Sequence, residues 1–174
     1  LILPLKGEVP EAPKGLKTEG VIPLQRIVTP SGVAFGSPTS PFQGEDKHKF
    51  DLIGYSGGGY IALVLASTRP DILSVRTVAG DLDNAAFTAL HRVSDMPATV
   101  PLDPAMRARL AHIPQRHFVG EDDTQVPAII AQSYLSSLPQ KTCVVLDVLA
   151  GATHEDGWVD NWPALLQRDV ACRP

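Results

Sequence analysis

Phe50 to Ser67 reads FDLIGYSGGGYIALVLAS, and within it Gly54-Tyr55-Ser56-Gly57-Gly58 sets a serine at the centre of a G-x-S-x-G pentapeptide. A short apolar run precedes the pentapeptide and an apolar helix-like segment follows at once, which predicts strand, sharp turn and helix with Ser56 at the apex. A serine in such a turn has a strained backbone, tolerated where the residues two before and two after carry no side chain to collide, and Gly54 and Gly58 are read as meeting that need. The chemistry this suits is nucleophilic attack, because the turn lifts the hydroxyl above a sheet end and aims a helix N-terminus at it. A glycine-rich turn between strand and helix is also an ordinary structural feature of α/β proteins, so partners must decide.

A serine hydroxyl is a poor nucleophile at neutral pH and needs a histidine to take its proton and an acid to fix the histidine tautomer. His154, in the small-residue loop GATHEDGW, is the expected base. For the acid, Asp123 in GEDDTQVP is favoured over its neighbour Asp122 and over Asp81, which follows an earlier strand. The backbone N–H of Gly57 comes with the turn as one oxyanion donor. Tyr55, Tyr60, Leu82, Phe87 and Trp158 are candidates for the walls of a small acyl site, the ordinary reading of each being a core or rim residue.

The elements that must position these groups are regular only after residue 49. Before it, Pro and Gly recur and forbid a long helix. Val21 to Thr29, Ser31 to Phe35 and Leu1 to Leu5 are strand candidates there. From Phe50 the order is a strand to Gly54, a helix from Gly57 to Thr68, a strand from Leu73 to Ala79, and short helices at Ala86 to Val93 and Asp103 to His112. A strand from Arg116 to Gly120, a helix from Pro127 to Ser137, a strand from Lys141 to Val148 and a helix from Pro163 to Val170 complete the pattern. Strands alternating with helices predict one α/β domain over 1–174 with a mostly parallel sheet and helices on both faces. Its segment 1–49 is irregular and 50–174 forms the core. Ser56, Asp123 and His154 each follow the carboxyl end of a strand, where such sheets bind ligands.

Composition narrows the function classes. The chain has 174 residues with 44% hydrophobic and 20% charged residues, ordinary for one globular domain. A net charge of -4 with dispersed Lys and Arg argues against a nucleic-acid partner, and no apolar run reaches the ~20 residues of a membrane span. Five dispersed histidines and two cysteines form no metal-ligand spacing, so neither metal nor other cofactor is expected. Cys143, inside an apolar strand-like run, is expected as a buried thiol. The chain starts at Leu1 without methionine and is expected to be a processed product or part of a longer chain.

With FDLIGYSGGGYIA, RTVAGDLD, HFVGEDDTQVP and GATHEDGW in this order, Phe50 to Trp158 resembles the α/β-hydrolase superfamily, in particular its bacterial serine esterase-like members. The resemblance implies an α/β-hydrolase fold and an acyl-enzyme mechanism on small carboxylic esters, with Ser56 as nucleophile, Asp123 as acid and His154 as base. Set against the family, the chain departs in having a shortened N-terminal half without an oxyanion-loop motif, so either the loop from Ser37 to Gly44 supplies the second donor or activity is weak, and the stretch between Gly80 and Ile113 is too short for a large cap domain. The elbow strand is central in the family. With so little chain before it here, self-association through an exposed sheet edge is expected. The alternative is a catalytically impaired member of the same fold acting as a binding or structural module.

Overall fold

The computed structural model describes residues 49–94 and 99–172. The strand candidates before Phe50 and the loop from Ser37 to Gly44 lie outside the described residues. Four strands, β1 (Phe50–Tyr55), β2 (Ile72–Val78), β3 (Gln115–Gly120) and β4 (Val144–Leu149), form one parallel sheet in the order β1-β2-β3-β4. Between them lie α1 (Gly57–Thr68), α2 (Asn84–His91), α3 (Pro104–Leu110) and α4 (Ala128–Ser137), and α5 (Trp158–Leu166) follows β4. No described helix is long and apolar enough to cross a membrane.

Successive right-handed crossovers moving one way along a sheet place their helices on the same face. Accordingly Leu63 and Ala66 of α1, Leu110 of α3 and Tyr134 of α4 pack with Val75 and Val119 in one core. Strand alternation sends Val78 and Phe118 to the other face, where they meet Trp158 and Leu165 of α5. Among the described residues β1 is an edge strand, and its Phe50 is 40% exposed.

Two expectations are corrected. The last helix begins at Trp158, five residues before Pro163, because Gly157 turns the chain at φ 89 and the helix absorbs the proline. Pro163 has no N–H for the carbonyl of Val159, but Val159 is 84% exposed and water can serve that carbonyl. Cys143 is not a free thiol: it is bridged to Cys172. α5 returns the chain to the start of β4, and closing a loop over 29 residues restricts the unfolded chain by about 3–4 kcal/mol.

Beneath the first core lies a buried polar network. The Thr77 hydroxyl donates to Nδ1 of His117 at 2.8 Å, and Nε2 of His117 donates to Oε1 of Gln115 at 3.2 Å. The same Oε1 accepts from Tyr134 at 2.8 Å, and the Gln115 amide donates to the Leu110 carbonyl at 2.6 Å. Burial holds His117 neutral, lowering its pKa from 6.5 to about 3. Between those values the unfolded chain binds a proton that the folded chain refuses, so this term is present above pH 6.5 and is lost as pH falls toward 3. Buried Asp81, raised from 3.8 to about 6, acts with the opposite sign over its own window, so the effect of His117 must be isolated by difference. The gap in Tm between wild type and His117→Gln should narrow steadily on acidification from pH 7 to pH 4. A gap that stays constant across this range would contradict the buried neutral imidazole.

Candidate active site

The turn after β1 places Ser56 at φ 51 and ψ -128, outside the regions a serine prefers. Three backbone hydrogen bonds hold it there: its N–H donates to Val78 O at 3.1 Å, and its carbonyl accepts from Gly59 at 2.9 Å and from Asp81 at 3.0 Å. The two flanking glycines are not equivalent. A Cβ on Gly54 would stand 2.4 Å from the Gly58 carbonyl oxygen, whereas one on Gly58 would meet nothing within 4 Å. The steric demand read into both positions therefore belongs to Gly54, where the strand end abuts the first turn of α1.

The loops after β3 and β4 touch through another glycine. A Cβ on Gly120 would lie 2.4 Å from Ala152 O. Its absence lets Asp122 N donate to the same Ala152 oxygen at 3.0 Å and Glu121 N to Leu149 O at 3.0 Å. This docking sets Asp123 beside His154. Nδ1 of His154 donates to Oδ2 of Asp123 at 2.9 Å, while Nε2 lies 3.0 Å from the Ser56 hydroxyl. With Nδ1 donating to a carboxylate, Nε2 is left as the acceptor for the serine proton. Oδ1 of Asp123 accepts from Gln125 N at 2.9 Å and Val126 N at 2.8 Å, so both carboxylate oxygens are engaged. Asp122 is exposed, and Asp81 accepts instead from Asp83 N at 3.2 Å.

Two aromatic residues hold the His154 backbone. The carbonyl of His154 accepts from the Tyr55 hydroxyl at 2.7 Å and from Nε1 of Trp158 at 3.1 Å. Burial raises the Tyr55 phenol and keeps it a donor. Both residues are candidates for the site wall by sequence, yet their polar ends are spent on the histidine loop, and Trp158 is in the core. Leu82 is likewise core, 1% exposed. Tyr60 donates to Val100 O at 2.8 Å and so pins the segment before α3, and Phe87 packs at a tilt of 49° against the His91 ring with centroids 4.4 Å apart. Gly57, the first residue of α1, is exposed, and its N–H precedes any intrahelical acceptor. Among the described residues no group of three or more His, Cys, Asp or Glu is placed to hold a metal ion.

Sequence comparison with family models and with curated proteins finds no match. Solved structures do match. A protein of Klebsiella pneumoniae described as a dienelactone hydrolase aligns over 71% of this chain and 52% of its own, with 20% identity and a TM-score of 0.52. An alpha/beta hydrolase enzyme from the metagenome of sediments of the Mar Chica lagoon, Morocco, aligns over 69% of this chain and 60% of its own, with 15% identity and a TM-score of 0.51. The chain has the α/β-hydrolase fold. It spans between half and two thirds of the length of these two structures. The turn at Ser56 is a sharp strand-to-helix elbow, and its glycines can be tested separately. Gly54→Ala should lower Tm by several degrees and displace Ser56, while Gly58→Ala should fold with an unchanged Tm. Equal losses for the two variants would contradict the one-sided packing.

Proposed function

We propose that the protein is a serine hydrolase that cleaves small carboxylic esters through an acyl-enzyme on Ser56. The observation that carries this is the chain of contacts from Ser56 through His154 to Asp123, at 3.0 and 2.9 Å, assembled from three strand ends. The Ser56 oxygen attacks the ester carbonyl while its proton passes to Nε2 of His154. Asp123 holds the imidazole tautomer and offsets the charge of the imidazolium. The carbonyl oxygen, now an anion, is stabilised by the Gly57 N–H at the start of α1. His154 then returns the proton to the leaving alcohol, and water, activated by the same nitrogen, releases the acid and restores Ser56. Only 32 residues separate Gly80 from Ile113, which leaves no length for a large cap and favours an open site for short acyl groups.

Hydrolysis of a chromogenic short-chain ester tests this. Ser56→Ala should reduce turnover by about a thousandfold or more, with Tm unchanged. Turnover that survives the substitution would sink the proposal.

Self-association is proposed from the same fold. β1, which carries the elbow, presents an edge among the described residues, and unpaired strand edges recruit other strands. Sedimentation at micromolar concentration should give a species of at least twice the monomer mass, and a single monomeric boundary would contradict it.

A further inference from the structure

The acid loop is tied to α2 by one side chain. His91, in the last turn of α2, has its Nε2 2.7 Å from the carbonyl oxygen of Gln125. A carbonyl can only accept, so Nε2 carries the proton and donates. That carbonyl is one end of the amide whose other end is the Val126 N–H, and the Val126 N–H donates to Oδ1 of Asp123 at 2.8 Å. A hydrogen bond received at an amide oxygen polarises the group and strengthens donation from its N–H. α2 is itself fixed at its start, where Asp83 caps it through Ala86 N at 3.2 Å and accepts from Ser133 of α4 at 2.7 Å. The Phe87 ring, 4.4 Å from the imidazole, restricts its orientation.

We infer that His91 is a positioning residue for the triad: through the 125–126 amide it orients and polarises the hydrogen bond that fixes Asp123 against His154. This rests on the proposed triad. His91 is exposed, so water competes for the Gln125 carbonyl when the imidazole is removed, and the effect is graded rather than total.

Three variants test the inference. His91→Ala should lower kcat for a short-chain ester about three- to tenfold, with KM within twofold. His91→Gln, whose amide nitrogen can reach the same carbonyl, should recover most of the loss, and His91→Asn, which is too short, should not. The low-field proton resonance of Nδ1 of His154 should move in the Ala and Asn variants and return in Gln. Wild-type kcat and resonance in His91→Ala would overturn the inference. So would a Gln variant as impaired as Ala, because the ring packing on Phe87 would then be what matters. A Ser56→Ala variant that keeps hydrolysing esters would remove the triad itself, and the resonance, which needs no substrate, would still report on the relay.

Discussion

The backbone of Ser56 is the constraint on which the rest of the sheet end depends. A serine held at φ 51 costs on the order of 1–3 kcal/mol and persists only where its surroundings leave no alternative. Here the surroundings are the Val78 carbonyl on β2, the Gly59 N–H on α1 and the Asp81 N–H beyond β2, all bonded to one residue. Gly54 completes the clamp by letting the strand run against the carbonyl of Gly58. Ala79, itself at φ 46, bends the chain after β2 so that Asp81 can reach the elbow. The strain is thus shared between two adjacent strand ends.

From that fixed point the remaining groups are placed by close backbone approach. Gly120 lets the loops after β3 and β4 interlock at Ala152, which brings Asp123 to His154 without a long connecting element. Tyr55, immediately before Ser56, reaches across to the carbonyl of His154, so the elbow and the loop after β4 are coupled directly. Below them, the Thr77, His117, Gln115 and Tyr134 network links β2, β3 and α4 in a region with no exposure to water. The sheet under the site is therefore cross-braced as well as packed.

Much of this was legible in the residues because the determinants are local. The turn at Ser56 and the loops that carry Asp123 and His154 are short segments beside strand ends, and the helix read from Asp103 does begin there, with the Asp103 carboxylate accepting from Met106 N at 2.8 Å. What was not legible depends on distant approach. The pairing of Cys143 with Cys172 arises only when α5 returns the chain to β4. The last helix, read from Pro163 onward, starts instead at Trp158, where the positive φ of Gly157 turns the chain. Aromatic residues near a serine suggest a pocket wall, but type alone does not reveal that the polar ends of Tyr55 and Trp158 are bonded to His154. Gly120 gave no signal beyond being a glycine at a strand end, and its role appears only against Ala152.

Whether Ser56 is an activated nucleophile is tested most directly by incubating the folded protein with a fluorophosphonate and mapping the adduct by mass spectrometry. The arrangement of Ser56, His154 and Asp123 calls for a single adduct on Ser56 that forms much more slowly in His154→Ala. Folded protein that remains unlabelled, or that is labelled equally fast without the imidazole, would contradict it.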